Sequence, residues 1–187
     1  MGAFAIVNAD YKVRLGSAFV TAIEGQVDWS FPSDARFKYN IQEDHIPGLN
    51  FIEKLRPVSY QFDTRKYDEH LMQQMPDKVR TRRLQERRSS EDADRIQTGF
   101  LAQEVEQACR ELGFDFSGLH VPTNETDNYS LAYGSFVPIL VKAMQEQQAM
   151  IDDQKSLIGT LQLENAQIKA QLAIISHALS GAGIATE

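Results

Sequence analysis

The sequence predicts an α+β fold: a small mixed domain with a β-rich N-terminal stub and a long C-terminal helix that forms a parallel trimeric coiled coil. Three observations predict it. The first thirty residues carry short, turn-bounded strand patterns; residues 33–136 mix strand and helix periods; and residues 137–179 hold a heptad repeat. The expected boundaries are a stub at 1–32, a mixed domain at 33–136, a coiled-coil helix at 137–180 and a flexible tail at 181–187.

In the stub, FAIVN, KVRLG, FVTAI and QVDWSF read as strands, separated by turn formers at 8–10, 16–17 and 24–25. Four short strands cannot bury a core by themselves. They need a larger sheet upstream or identical copies alongside, so the stub reads as the end of a β-rich stalk cut from a longer protein. An edge hairpin on the mixed domain is the alternative.

Next comes FPSDARFKYNI, with a hydroxyl at Ser33 and an amine at Lys38, five positions apart. From these residues alone it is either a polar turn capped by Ser33 and Asp34 or a nucleophile with its base. IPGLNFIEKL then reads as a short helix with Leu49, Ile52 and Leu55 on one face. RPVSYQFD alternates Val58, Tyr60 and Phe62 inward as a half-buried strand. TRKYDEHLMQQM reads as a polar helix stopping at Pro76.

Residues 78–95 are nearly all charge. They read as a solvated insertion, mobile or helical, in preference to a docking patch built on Arg80, Arg82, Arg83, Arg87 and Arg88. TGFLAQEVEQACREL places Leu101, Val105, Ala108 or Cys109, and Leu112 at helical spacing, with Cys109 packed as a small hydrophobe. HVPTNETDNYSLAYGSF is turn-rich and extended, and leads into the long helix. Ser135 is its candidate cap, and Pro138 falls in the first turn, where a missing N–H does no harm.

With Val137 at a, the a positions are Val137, Met144, Ile151, Ile158, Asn165, Leu172 and Leu179. The d positions are Leu140, Gln147, Gln154, Leu161, Ile168 and Ile175. Ten of these thirteen are apolar, a regularity that favours a coiled coil over a surface helix. Gln147, Gln154 and Asn165 cost stability but penalise slipped or reversed pairings. Isoleucine at both a and d shifts the preference from two strands toward three.

Composition narrows the function classes. A net charge of −7 argues against a nucleic-acid-binding surface, and no apolar run is long enough to cross a bilayer. The N-terminus lacks the basic start and apolar stretch of a signal peptide. His45, His70, His120 and His177 have no ligand spacing, so neither a metal nor a cofactor is expected. The single Cys109 excludes an intrachain disulfide.

Four blocks in order, SDARFKYNI, LRPVSYQFD, TGFLAQEVEQA and NYSLAYGSFVPILVKAMQEQQAMI, followed by a coiled coil, resemble the intramolecular chaperone auto-processing domain, peptidase family S74. That family sits at the C-termini of phage tail spikes and fibres, of some bacterial surface proteins and of the myelin regulatory factor. The resemblance implies a domain that trimerises, helps an upstream β-rich stalk to fold, and then cuts itself off. It implies Ser33 as nucleophile, Lys38 as general base, Asp34 as the supporting residue of the family's pattern, and a cut at Pro32–Ser33. It implies partners in the chain itself: two further copies and the upstream region. It implies a place on a virion tail or a bacterial surface, with assembly in the cytoplasm if phage-encoded.

The chemistry is sound without the family. A serine hydroxyl becomes a nucleophile when a neighbour takes its proton, and a neutral lysine can do so. Lysine's reference pKa of about 10.4 has to fall by about 3 units, through desolvation or a nearby cation. Arg36 and the apolar Phe37, Tyr39 and Ile41 are the local candidates for both, and trimer assembly would bury the site further. Pro32 departs from easy cleavage, because it restricts Phe31 and stiffens the bond to be cut. A second reading is therefore a trimeric tip or anchor that keeps the fold without proteolysis. A third, a dimeric regulator using its arginine run on nucleic acid, is disfavoured by the acidic balance.

Overall fold

The computed structural model describes residues 5, 7, 12–16, 20, 22–86 and 95–181. After a 3-10 turn at Ala35–Phe37 come α1 (Gly48–Ile52), β1 (Val58–Gln61), α2 (Thr64–Leu71) and α3 (Asp77–Glu86), and a second 3-10 turn at Tyr133–Ser135 leads into the long C-terminal helix. Then follow β2 (Ile96–Gly99), α4 (Ala102–Leu112), β3 (Leu119–His120), β4 (Ser130–Leu131) and α5 (Phe136–Gly181). Two small antiparallel sheets result. β1 pairs with β2 in the register Val58↔Gly99 to Gln61↔Ile96, and β3 pairs with β4 in the register Leu119↔Leu131.

Local chemistry sets the helix ends. Asp63 accepts the N–H of Lys66 at 2.8 Å and starts α2. α4 stops at Gly113, whose φ of 61° is left-handed, and Phe114 N–H closes back on Cys109 O at 2.9 Å. α1 has no cap of its own; Glu146 of α5 reaches across and accepts the N–H of Leu49 at 2.7 Å. Gly48 makes room for that contact, since a Cβ there would stand 2.6 Å from Glu146 Oε2.

The core lies where α1, α4 and the first turns of α5 meet. Phe51, Val105, Ala108, Cys109, Phe116, Phe136 and Ile139 are buried together. Phe116 meets Phe136 edge-on with centroids 4.6 Å apart, and Phe51 meets Phe116 at 5.5 Å. Burying a side chain of this size is worth roughly 1.5–3 kcal/mol, so this aromatic cluster outweighs the surface ion pairs as a source of stability. Tyr133 braces the sheet edge, its hydroxyl accepting the N–H of Phe100 at 3.0 Å.

α5 is 46 residues, about 69 Å long. Only its start is anchored: Phe136, Ile139 and Ala143 are its buried residues. Of the seam, Val137, Leu140, Met144, Ile151, Ile158, Leu161, Ile168, Leu172 and Ile175 are exposed in the single chain. The helix therefore turns one face into its own domain and leaves a neighbouring apolar stripe uncovered.

Several expectations are met. The short helix, the strand at 58–61, the amphipathic α4 with Val105, Ala108 and Cys109 inward, and Pro138 in the first turn of the long helix all appear. The charged segment is helical as far as Glu86. Arg87, Arg88 and the last residues of the 181–187 tail lie outside the described residues.

Other expectations are corrected. Among the described residues of the stub none is in a strand: KVRLG and QVDWSF are irregular, as are the described residues 20, 22 and 23 of FVTAI, and most of FAIVN lies outside the described residues. A strand needs a partner for its N–H and C=O groups, and the lone chain offers none. Val27 and Phe31 are accordingly 85% and 87% exposed. α2 ends at Leu71, short of Pro76, and Phe62 lies past the end of β1 and is exposed.

Candidate functional site

The turn at Ala35–Phe37 decides what Ser33 and Lys38 do. Asp34 caps it, accepting the N–H of Arg36 at 2.9 Å. The turn closes through Phe37 N–H to Asp34 O and Lys38 N–H to Ala35 O, each at 3.1 Å. One tight turn brings the two ends of the motif together, and Lys38 Nζ donates to Ser33 Oγ at 2.7 Å. A spacing of five residues thus becomes a direct contact, with Pro32–Ser33 exposed beside it.

Arg36 is committed elsewhere. Its Nε contacts both Asp34 oxygens, at 3.1 and 2.9 Å, and its Nη2 contacts Oδ2 at 2.6 Å. This pairing holds the Asp34 carboxyl below its usual range and pushes the Arg36 guanidinium up. A cation so compensated has little field left to act on the Lys38 amine. The apolar candidates fare no better in the single chain: Phe37 is 78% exposed, and Tyr39 and Ile41 are exposed too. The hydroxyl and amine are therefore in contact but in water.

Cys109 is buried in the core, and burial pushes its thiol up, followed by the nearby Asp115 and Glu106 charges. A thiol in that setting packs and does not react. Among the described residues no group of three or more His, Cys, Asp and Glu stands ready to hold a metal. Among the same residues no helix is long and apolar enough to cross a membrane.

Sequence reasoning missed a second polar cluster, around the buried Asp127. His120, Thr123, Asn128 and Lys12 converge on its carboxylate. The run PTNETDN announces a turn, but nothing local announces a partner 115 positions away.

The match to known families starts where the site does. Residues 33–114 match the model of Peptidase_S74, described as chaperone of endosialidase, from Ser33 through α4. No curated protein matches the sequence. The matched segment holds the Ser33–Lys38 contact, β1, β2 and four of the seven core residues, and over that segment this chain is similar to the chaperone of endosialidase.

Proposed function

We propose that this is a C-terminal intramolecular chaperone that assembles as a parallel homotrimer through α5, supports the folding of an upstream β-rich region, and releases itself by cutting Pro32–Ser33. The observation that carries the reading is the 2.7 Å contact between Lys38 Nζ and Ser33 Oγ beside that bond. In the proposed step, neutral Lys38 takes the Ser33 hydroxyl proton while Oγ attacks the Pro32 carbonyl carbon. The C–N bond to Ser33 breaks, Lys38 returns the proton to the departing Ser33 amine, and an ester joins Pro32 to Ser33 Oγ. Water then opens the ester, leaving a Pro32 carboxylate and a restored Ser33 hydroxyl. A nucleophile attached to its own cut site turns over once.

The trimer enters the chemistry as well as the architecture. Within one chain the amine is solvated, and a base of this type needs desolvation. Three copies zipped along the uncovered stripe would cover apolar side chains on α5, and copies packed around Phe31, Phe37, Tyr39 and Ile41 would take water from Lys38. Assembly would then switch on the cut. Such a domain belongs on a fibre or surface protein, at a virion tail or cell surface.

Intact-mass measurement of freshly expressed protein tests the cut. A species lacking residues 1–32 in the unmutated protein, absent from Ser33→Ala, is the expected result. A single full-length mass from unmutated trimer removes the proteolysis. That outcome would leave the second reading, a trimeric tip that holds its fold without cutting, which Pro32 favours by stiffening the bond ahead of the serine.

A further inference from the structure

Two cations of the stub, Lys12 and Arg14, rest on the mixed domain. They are two positions apart in an irregular segment, the spacing that sends extended side chains to one face. Lys12 Nζ reaches Asp127 Oδ1 at 3.4 Å. Arg14 donates to the Tyr67 hydroxyl, and its guanidinium lies 5.1 Å from the centroid of the Tyr67 ring.

The receiving face is built. Asp127 is the one buried polar residue among those described, its side chain 3% exposed. Its carboxylate is fixed by the N–H of Asn128 at 2.9 Å, the N–H of Thr123 at 3.3 Å and the His120 ring at 2.7 Å. His70 of α2 sits 3.3 Å from the Asp127 carbonyl. The Tyr67 hydroxyl donates to Asn128 Oδ1 at 3.3 Å while it accepts from Arg14. A chain of contacts thus runs from Lys12 through Asp127, Asn128 and Tyr67 to Arg14. The carboxylate is buried while Lys12 stays 30% exposed, so the pair meets solvent on the side of the cation and weakens with salt.

We propose that Tyr67 and His70 of α2, with the 120–128 loop, form a docking site for the basic segment upstream of the cut, and that this site delays the release described above, holding the N-terminal fragment after the chain is opened until its cation contacts are broken. The retention half rests on the proteolytic reading above; the docking half does not. Lys12 and Arg14 lie before Ser33, whereas Tyr67 and Asp127 lie after it, so the contacts bridge the proposed break. In the uncut chain the tether raises the effective concentration of the cations at their seat, and three copies in a trimer multiply the attachment.

Docking is tested first on the uncut Ser33→Ala full-length protein by hydrogen–deuterium exchange. Lys12→Ser with Arg14→Ser should speed exchange about threefold or more in 67–71 and 120–128, with α4 unchanged. Tyr67→Phe should reproduce part of the effect, and Lys12→Arg should leave protection in place. Unchanged exchange in the double variant overturns the docking site. Retention is tested on fully cut protein by native size-exclusion chromatography. The fragment should co-elute with the domain at about 50 mM salt and separate at high salt or in the double variant. A fragment that leaves the unmutated protein at low salt overturns retention. Absence of cutting would sink the proteolytic reading while leaving the exchange experiment able to decide the docking.

Discussion

Lys38 donates a hydrogen bond to Ser33 Oγ, and a base has to do the reverse, accepting the serine proton on a lone pair that an ammonium lacks. Lys38→Arg separates reach from basicity: the guanidinium keeps charge and length but stays protonated. A positioned base contributes about 10²–10⁴-fold, so cleavage should slow by at least a hundredfold with the trimer intact. Fragment yield on a denaturing gel reads the first, sedimentation the second; a variant that cuts at the unmutated rate removes Lys38 as the base. Asp127 makes the other prediction at this scale. The Asn128 N–H holds its carboxyl well below the usual carboxylate range, followed by His120, Thr123 and Lys12, against the opposing effect of burial. A folded pKa below the unfolded one means stability that is present above the unfolded value and lost as pH falls toward the folded one. Urea midpoints should therefore decline from about pH 5 downward. Asp127→Asn should start less stable at neutral pH and flatten that decline, and an equally steep acid limb in the variant would assign the loss to other carboxylates.

Between elements, a hydrogen bond adds to the shared core in tying the domain to the long helix: Glu146 on α5 caps Leu49 of α1. Removing such a cap costs about 1 kcal/mol. Gly48→Ala should cost about as much, because the new Cβ meets Glu146 Oε2 at 2.6 Å and Lys142 Cγ at 2.8 Å and drives the cap off. In a Glu146→Ala background the same change should be close to neutral, a coupling that a double-mutant cycle of urea unfolding measures. Simple addition of the two costs would mean the glycine acts on the backbone alone. The sequence made β1 and α4 legible because each buries one face at its own period, Val58 and Tyr60, Val105 and Cys109. α1 was legible as a helix although Phe51, not the expected Leu49–Ile52 face, is its buried side chain, and α5 was legible through a heptad stripe that the single chain leaves exposed. β3 and β4, of two residues each, are too short to carry a period, and α2 stops before its sequence pattern does. The Ser33–Lys38 pair stayed open from its spacing and was singled out by the resemblance; one turn brings the two side chains into contact. The cap on Leu49 and the seat of Lys12 were not, since both join residues about a hundred positions apart.

At the scale of the molecule, the split personality of α5 permits a test that leaves the fold alone. Its buried residues end at Ala143, whereas the seam runs on toward Leu179, with Ile151, Ile158, Leu161, Ile168, Leu172 and Ile175 exposed in the single chain. Ile158→Lys with Leu161→Lys places two cations per copy inside the proposed three-stranded stripe, fifteen or more residues beyond the domain's last buried contact. Burying unpaired ammonium groups, with like charges facing across the axis, costs several kcal/mol per ion, far more than the two lost apolar contacts. The variant should sediment as a monomer where the unmutated protein sediments as a trimer. Near-UV signals from the Phe51–Phe116–Phe136 cluster should be unchanged, because that cluster is built within one chain. Cleavage should fall by at least tenfold, since the Lys38 amine would remain in water as it is in the single chain. The sharper arm raises the pH: a rate that recovers in alkali while the variant stays monomeric would mean assembly acts by deprotonating the amine. Full-rate cutting by the monomer at neutral pH would instead separate the turn's chemistry from the helix altogether.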